Sequence, residues 1–392
     1  MINLPKDRCC GCGVCATVCS KSAITLCEDA CGYLYPVVDA VKCIDCGLCD
    51  TACPELSKPS LADPMTVYAA RCNDTVDFET CASGGAATVF GRFIIRSGGV
   101  VYGCAMSNYR TIRHIRIDRE EELELIKGSK YVQSDTRHIY PEVKKDLLAG
   151  RCVLFTGTPC QVGALRSFLR RPYPNLYTVD LVCHGVPAQA MLRRVIEPEI
   201  ARCNISPDDA TVHFRWKTQF GIQFGIQFGK YDQIYMARRA SQDPYMSAFL
   251  TGLSYRENCH RCIYAQCKRV SDITIGDFWK LGKAEPSQIA SSRGVSLVLV
   301  NTPQGEALWR QTASAFTAEI RTLDEAIKTN WNLHDPVRRP AKKDRFLALY
   351  RQFGMDYAMR KCDLRYRIKT MAVVRWAYRI PLIEKLLRKL YK

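Results

Sequence analysis

The sequence predicts a mixed α/β protein, α+β overall, in which a small cysteine-rich module precedes a larger α/β domain and a basic helical tail. The chain has 392 residues, 47% of them hydrophobic, which is enough for two or three domains with a sizeable core. Two cysteine quartets lie within the first 56 residues. From Met65 onward, strand-like and helix-like segments alternate, which is typical of α/β layering around a largely parallel sheet.

The two cysteine quartets have the same spacing. The spacing C-x2-C-x2-C-x3-C is that of bacterial two-cluster ferredoxins, in which the fourth cysteine of each run binds the other cluster. It predicts two [4Fe-4S] clusters in a ferredoxin-like domain, residues 1–56. Zinc is the alternative, but it usually takes two C-x2-C pairs. The predicted ligands are Cys9, Cys12, Cys15 and Cys53 for cluster one, and Cys43, Cys46, Cys49 and Cys19 for cluster two.

Some residues of this module depart from the pattern. Ser20 stands where the pattern has proline, which should alter the turn without removing a ligand. Cys10, Cys27 and Cys31 lie off the pattern, and we interpret them as small buried residues. The proline-rich segment 57–64 is predicted to be a linker.

Composition limits the compartment and the partners. The chain has 22 cysteines at metal-ligand spacings and no apolar stretch at its start that could serve as a signal peptide, so we expect a reducing cytoplasm. No apolar run is long enough to predict a transmembrane helix. The net charge is +17, but we find no nucleic-acid-binding motif and predict no nucleic acid partner.

The α/β domain, residues 65–335, carries candidate ligand positions at strand ends. Cys160 and Cys183 each follow a predicted strand, at the sheet edge where ligands bind in open α/β sheets. The segment SGG, Ser83 to Gly85, opens a predicted helix whose N–H groups can hold a phosphate. A glycine pair at a helix start is more often only a turn. Lys130 lies in a loop, GSKYVQS, after another predicted helix.

A third cysteine group lies far from the quartets. The segment RENCHRCIYAQCKR contains Cys259, Cys262 and Cys267. Three clustered cysteines need a fourth ligand from elsewhere, and Cys160 and Cys183 are both candidates. A zinc knuckle or plain buried thiols are the alternatives.

Seven motifs occur in order between residues 81 and 305, and with the N-terminal module the likeness covers roughly residues 1 to 305. They are CASGGAA, GGVVYGCAM, KGSKYVQS, VLFTGTPCQVGALRSFL, LYTVDLVCHGVP, RENCHRCIYAQCKRVSDITIGDFW and GVSLVLVNTPQG. With them the chain resembles the beta-subunit family of coenzyme F-420 hydrogenases and dehydrogenases, preceded by a two-cluster ferredoxin module.

The resemblance implies FAD and a third [4Fe-4S] cluster in the α/β domain. It implies Cys259, Cys262 and Cys267 as cluster ligands, with Cys160 as the fourth and Cys183 as the runner-up. It places FAD at the glycine-rich helix start and at the GSKYVQS loop, and Asp277 at a strand end either near the site or as a cap. The implied FAD contacts are Ser83, Gly84, Gly85, Lys130, Tyr131 and Gln133. No catalytic residue is predicted.

The function predicted from these cofactors is a flavin- and iron–sulfur-dependent oxidoreductase. It would pass electrons between clusters and FAD to reduce or oxidise a small organic substrate, and the family suggests polysaccharide biosynthesis. A redox partner protein such as a ferredoxin or reductase is expected. The alternatives are a true coenzyme F-420 (deazaflavin) oxidoreductase, a non-enzymatic electron-transfer subunit, and an iron–sulfur interaction protein in a glycan-assembly complex.

The tail, residues 336–392, is predicted to be helical and basic. From Asp356 to Lys392 there are eleven Lys or Arg against three acids. Apolar residues recur near helical spacing at Val373, Trp376, Ile380, Ile383, Leu386 and Leu390. This pattern predicts either peripheral contact with the inner face of a membrane or packing on the protein body.

Overall fold

A computed structural model describes residues 2–219, 221–230, 233–283, 285–290 and 292–369. The α-helices are α1 Val14–Thr17, α2 Leu48–Thr51, α3 Thr75–Thr80, α4 Ala86–Arg96, α5 Leu123–Ile126, α6 Ile139–Leu148, α7 Pro159–Leu169, α8 Gln189–Arg202, α9 Pro244–Leu250, α10 Pro303–Thr312, α11 Leu323–Thr329, α12 Lys343–Phe353, α13 Met355–Cys362 and α14 Leu364–Lys369. The strands are β1 Ile24–Glu28, β2 Leu34–Val38, β3 Thr66–Cys72, β4 Val100–Asn108, β5 Thr111–Ile117, β6 Val153–Gly157, β7 Leu176–Leu181, β8 Ala210–Thr218, β9 Gly221–Lys230, β10 Gln233–Arg239, β11 Ile273–Asp277, β12 Ser296–Val300 and β13 Phe316–Arg321.

The N-terminal module has two equivalent halves. Its strands β1 and β2 pair in antiparallel fashion. The short helices α1 and α2 each follow a glycine in the left-handed region, Gly13 at φ 77° and Gly47 at φ 70°. This conformation favours glycine because it has no Cβ. The repeated cysteine spacing therefore corresponds to a repeated turn and helix.

The main sheet has eight strands in the order β13-β3-β12-β11-β7-β6-β4-β5. The predicted mixed α/β fold is confirmed. The expectation of a largely parallel sheet is wrong, because only the adjoining pairs β4–β6, β6–β7 and β7–β11 are parallel in the described chain. Strands β3, β12 and β13 pair in antiparallel fashion, as do β11 with β12 and β4 with β5. The parallel strands β6 and β7 are neighbours, so their carboxyl ends meet at one edge.

Helices cover both faces of this sheet. Along β6, Val153 and Phe155 face a core that includes α6 and α7, whereas Leu154 faces a core that includes α4 and α10. This alternation follows from the two-residue period of a strand. Cys10, Val14 and Ala52 of the N-terminal module belong to the α6–α7 core, so the module packs on that face of the sheet.

A second sheet contains β8, β9 and β10 in antiparallel order. Residues 221–229 of the tandem repeat FGIQFGIQFG lie in β9. Its buried side chains share a core with α8, α9 and the C-terminal helices α12, α13 and α14. The start of the predicted helical tail thus packs on the protein body.

The rest of the tail cannot be compared with the prediction. The amphipathic segment from Val373 to Leu390 lies outside the described residues. Within the part of the chain that the structure describes, no helix combines the length and the apolar character needed to span a membrane.

Candidate functional site

Four cysteines predicted as ligands of cluster one lie together, and we call them site one: Cys9, Cys12, Cys15 and Cys53. All four are buried. Burial, followed by the negative charges of Cys9 and Cys53, raises the pKa of the Cys15 thiol to about 12. Thiols in this state stay protonated unless a cation stabilises their anions, and coordination to a metal does so. The arrangement therefore fits a bound metal cluster.

Four cysteines predicted for cluster two form site two: Cys19, Cys43, Cys46 and Cys49. They line a single cavity together with apolar residues that include Ile24 and Leu48. The amide of Ala23 donates to the Cys19 sulfur at 3.3 Å. Cys46 is exposed, whereas every member of site one is buried. Cys49 lies close enough to site one to act electrostatically on Cys15, so the two sites are neighbours with site two on the outside.

Residues off the ferredoxin pattern divide into two kinds. Cys10 and Cys31 are buried, as interpreted from the sequence, but Cys27 is exposed. Cys27 lies on β1, where side chains alternate between the two faces, and it points to solvent. In the described chain, no three His, Cys, Asp or Glu side chains converge as ligands of a single metal ion. In a cubane each thiolate instead caps its own corner of the cluster.

The loop that carries site one is docked on the α/β domain through its carbonyl groups. Gln133 Nε2 donates to the Cys10 carbonyl at 2.9 Å. Thr136 Oγ1 and Tyr140 OH both donate to the Cys12 carbonyl at 3.1 Å. These bonds satisfy carbonyl groups that would otherwise be buried without partners, and they fix site one against the larger domain.

Arg256 lies at the centre of this interface and is fully buried. Its Nε donates to the Cys9 carbonyl at 2.7 Å, its Nη1 donates to Gln133 Oε1 at 3.2 Å, and its Nη2 donates to the Leu34 carbonyl. The Tyr35 ring lies 4.3 Å from the guanidinium carbon. These hydrogen-bond acceptors carry no formal charge. A buried cation held by neutral groups is costly unless negative charge lies nearby.

Four other cysteines come together at the edge of the main sheet, and we call them site three: Cys160, Cys183, Cys259 and Cys262. Burial, followed by the charges of Cys160 and Cys259, raises the pKa of Cys262 to about 12. Burial, followed by the charges of the other three members of site three, also raises the pKa of Cys183. The charges of these thiols act on one another, so the four side chains lie close together.

Sheet topology explains this grouping. Cys160 lies in the first turn of α7, directly after β6, and Cys183 lies two residues after β7. A capping box between Thr158 and Gln161 fixes the start of α7. Cys259 lies on a 3-10 turn, and Cys262 directly follows it. The sheet edge and this turn together supply all four thiols.

The structure does not bring Cys267 together with the other predicted ligands. Its thiol donates to the Leu333 carbonyl at 3.1 Å, and its electrostatic neighbours are Arg269, Asp63 and Asp324. Arg269 is buried and donates to the Tyr264 carbonyl at 2.9 Å and to Asp180 at 3.1 Å. These bonds hold the end of the cysteine loop in a position that separates Cys267 from Cys262.

Cys10 links sites one and three. Its thiol interacts with both Cys12 of site one and Cys160 of site three, and the interaction with Cys12 raises its pKa. Interaction with Cys10 also raises the pKa of Cys160. The Cys10 side chain therefore lies between the two sites.

The glycine-rich helix start predicted for FAD packs tightly against the sheet. Ser83 Oγ donates to the Val295 carbonyl at 3.1 Å. A Cβ on Gly84 would lie 2.3 Å from the Ala70 carbonyl oxygen, and one on Gly85 would lie 2.5 Å from the Cys72 sulfur. Packing alone thus requires both glycines, so their presence does not by itself indicate a phosphate site.

The GSKYVQS loop places its three predicted FAD contacts in different surroundings. Lys130 is half-buried, burial lowers its pKa to about 8, and its ammonium donates to the Lys127 carbonyl at 2.5 Å. The Tyr131 ring packs on Phe249 with centroids 4.7 Å apart. Gln133 is engaged with the N-terminal module, through Cys10 and Arg256. Lys130 is the cationic residue of the three, and the hydrogen-bond acceptor of its ammonium is the neutral Lys127 carbonyl.

A row of basic side chains along β8 connects the two predicted FAD segments. His213, Arg215 and Lys217 alternate on one face of this strand. The positive charge of Lys130 acts on His213, and Lys217 Nζ donates to the Ser83 carbonyl at 2.8 Å. Sequence reasoning missed these residues, although the alternation in HFRWK is the signal that could have found them.

Asp277 takes part in an ion pair at the middle of this row. Both of its oxygens accept hydrogen bonds from Arg215, at 2.6 and 2.7 Å. Arg215 is also stacked over Phe224, 4.8 Å from the ring centroid. Asp277 therefore fixes the orientation of the Arg215 guanidinium.

Comparison with known proteins identifies related sequences for part of the chain. Residues 150–326 match the family described as the C terminus of the coenzyme F420 hydrogenase/dehydrogenase beta subunit, which confirms the family predicted from the sequence motifs. A chain of the F420-reducing [NiFe] hydrogenase complex from Methanosarcina barkeri, from a xenon derivatization study, is similar with 17% identity and a TM-score of 0.46. That match covers 77% of this chain and 92% of the other. No curated protein matches the sequence.

Proposed function

We propose, from the membership of residues 150–326 in the coenzyme F420 hydrogenase/dehydrogenase beta-subunit family, that this chain is an iron–sulfur flavoprotein. Its activity would be the transfer of electrons between three [4Fe-4S] clusters and FAD, with reduction or oxidation of a small organic substrate. When bound, clusters exchange single electrons and a flavin exchanges two with an organic molecule.

The observation that carries this proposal is that each of the three cysteine sites neighbours the next, from site two through site one to site three. Site two has an exposed cysteine, site one is buried against the α/β domain, and the Cys10 thiol separates site one from site three. The carbonyl bonds from Gln133, Thr136 and Tyr140 hold this order in place. A series of neighbouring sites from the surface to a ligand-binding sheet edge is what an electron-transfer protein requires.

For site three we propose Cys160, Cys183, Cys259 and Cys262 as the cluster ligands. The resemblance implied Cys267 instead of Cys183. The thiol of Cys267 faces the Leu333 carbonyl, whereas the charges of the other three cysteines act on Cys183. The four grouped cysteines are half-buried, and burial and mutual interaction raise the pKa values of their thiols, so a cationic cluster core would stabilise their thiolates.

For FAD we propose the cleft between the GSKYVQS loop and β8. Lys130 offers a cation whose observed partner is neutral, and a phosphate oxygen would supply the missing negative charge. Lys217 joins β8 to the helix start at Ser83, and Arg215, fixed by Asp277, lies between them on the strand. Gln133 is a weaker candidate than the resemblance implied, because its amide group is already bonded at the module interface.

The redox partner would dock beside site two. Around this site Val41 is 96% exposed and Ile44 is 61% exposed. Exposed apolar side chains beside an exposed metal ligand suit a transient electron-transfer contact, which is typically small.

The experiment that tests the proposal is anaerobic purification of the full chain with quantification of iron and flavin. Three clusters predict about 12 iron atoms per chain, and heat denaturation should release FAD. Reduction by a low-potential protein donor should bleach both the cluster and flavin absorbance. An iron content of about eight atoms per chain would exclude a cluster at site three. An absence of flavin would favour a non-enzymatic electron-transfer or interaction protein. Turnover with the deazaflavin coenzyme would identify the alternative enzyme.

Replacing Lys130 tests the FAD cleft. We expect Lys130→Ala to weaken FAD binding by roughly tenfold to a hundredfold, since one charge-assisted phosphate contact contributes about 1.5–3 kcal/mol. The measurement is fluorescence titration of the flavin-depleted protein with FAD. Lys145→Ala, which removes the same charge from an exposed position on α6, is the matched control. Equal affinities for the two variants would remove Lys130 from the site.

The same titration has a predicted pH dependence. The pKa of Lys130 is about 8, so its ammonium is charged below that pH and neutral above it. FAD affinity of the wild type should therefore fall as the pH rises through about 8. Lys130→Ala should not show this fall, and a parallel fall in both proteins would assign it to another group.

A further inference from the structure

Two buried thiols outside the three cysteine sites face one another beside the glycine-rich helix start. Cys72 ends β3 and Cys81 directly follows α3. Cys72 is 3% exposed and Cys81 is 8% exposed. The Cys81 thiol donates to the Ser83 carbonyl at 2.9 Å, and each of the two thiols shifts the pKa of the other. Both sulfurs lie around Gly85, whose added Cβ would be 2.5 Å from the Cys72 sulfur and 3.6 Å from the Cys81 sulfur.

The ammonium group of Lys217 lies beside this pair. Its Nζ is 3.6 Å from the Cys81 sulfur and donates to the carbonyls of Phe78 and Ser83. It also lies 3.4 Å from the centroid of the Phe78 ring. Because these contacts fix the ammonium group next to the sulfur, it can stabilise a thiolate there.

The two thiols differ in acidity. Interaction with the Cys72 side chain, helped by the charge of Lys217, lowers the pKa of Cys81 to about 7 even though burial opposes ionisation. Interaction with the Cys81 side chain, together with burial, raises the pKa of Cys72. A reactive thiolate next to a protonated thiol is the arrangement of an attacking and a resolving cysteine.

We propose that Cys72 and Cys81 form a redox-active dithiol that a small peroxide oxidises to an intramolecular disulfide. The site uses only residues of this chain and does not depend on the proposed clusters or flavin. Only a small oxidant suits it, because both sulfurs are buried and a bulky disulfide would have little access.

The reaction has two balanced steps. The Cys81 thiolate attacks one oxygen of hydrogen peroxide, the S–O bond forms, the O–O bond breaks, and the released hydroxide takes up a proton to leave as water. The Cys72 sulfur then attacks the Cys81 sulfur, the S–S bond forms, and the sulfenic oxygen leaves as a second water with the Cys72 proton. Two thiols are oxidised and one peroxide is reduced.

Peptide mapping can follow this reaction directly. Trypsin should release residues 72–92, which contain Cys72 and Cys81 and no other cysteine. The native protein, purified anaerobically, is exposed to dilute hydrogen peroxide, denatured with an alkylating agent and digested. We expect peptide 72–92 to lose two hydrogen atoms and to escape alkylation, and dithiothreitol should restore both thiols.

Cys203 provides an internal control, since it is the single cysteine of tryptic peptide 203–215 and is half-buried. The dithiol should oxidise at least roughly fivefold faster than Cys203, because the Lys217 ammonium lies 3.6 Å from the Cys81 sulfur and can stabilise its thiolate. Oxidation no faster than that of Cys203, or modification of both thiols without a link, would overturn the proposal.

Two variants separate the roles of the thiols. In Cys72→Ser, Cys81 should stop at the sulfenic acid, which dimedone traps, and no disulfide should form. In Cys81→Ser, peptide 72–92 should remain reduced under the same exposure. If Cys72 were instead oxidised in Cys81→Ser at the wild-type rate, Cys81 would not be the attacking residue and the proposal would be wrong.

Discussion

Cys183→Ala should lower the iron content from about 12 to about 8 atoms per chain, because it removes one of the four proposed ligands of site three. Burial and the charges of its three neighbours act on Cys183, so it is positioned to bind the same cluster. The loss should leave the spectroscopic signals of the two ferredoxin-type clusters intact. Iron analysis and electron paramagnetic resonance of the reduced protein provide the measurement.

Cys267→Ala is the matched control for this prediction. Its side chain is half-buried like that of Cys183, and it lies on the same loop as Cys259 and Cys262. The thiol of Cys267 bonds to the Leu333 carbonyl, so its removal should leave about 12 iron atoms in place. The reverse result, with iron lost only from Cys267→Ala, would restore the ligand set that the motif spacing implied.

The difference between Cys183 and Cys267 shows what cysteine spacing can predict. The ferredoxin quartets are local patterns, in which short turns position each thiol. Site three depends on two parallel strands that are distant in the sequence of the chain. The rule that ligands gather at the carboxyl ends of such strands singles out Cys160 and Cys183 without any structure. The rule cannot predict the position of Cys267 at the end of its loop, because that position depends on the buried hydrogen bonds of Arg269.

The site proposed for flavin is harder to predict from the sequence, for a similar reason. A sequence motif identifies Lys130, but the basic row of His213, Arg215 and Lys217 has no motif of its own. The role of this row becomes evident only in the folded chain, where β8 lies beside the Ser83 segment through a tertiary contact. Gln133 illustrates the opposite case, since a polar side chain in a cofactor motif is used for docking the N-terminal module.

Substitution of Arg256 should have the second largest effect, a loss of stability of the folded chain. Replacing it with Met would leave the carbonyls of Cys9 and Leu34 and the amide oxygen of Gln133 without their donor. Each buried acceptor left unpaired costs about 1–3 kcal/mol, so we expect the free energy of unfolding to fall by at least about 3 kcal/mol. Anaerobic thermal unfolding measures this loss, and proteolysis within the 57–64 linker should become faster.

Arg256 should also affect the cluster proposed for site one, since the sulfur of its proposed ligand Cys9 lies 3.8 Å from Nη2. A buried positive charge favours the more negative, reduced form of a nearby cluster, and reduction potentials depend on such charge and on hydrogen bonds to the sulfurs. The potential of that cluster should therefore become more negative in Arg256→Gln. Arg256→Lys, which keeps the charge, should stay closer to the wild type.

Arg261 supplies the matched control for both measurements. It also bridges the two modules, through Asp7 at 2.6 Å, but its side chain is 66% exposed. An exposed ion pair contributes only about 0–1 kcal/mol, so Arg261→Gln should change neither the unfolding free energy nor the potential by much. If Arg256→Met and Arg261→Gln behaved alike, the buried guanidinium would not be the contact that unites the two modules. If Arg256→Gln lost stability at an unchanged potential, the role of Arg256 would be docking alone.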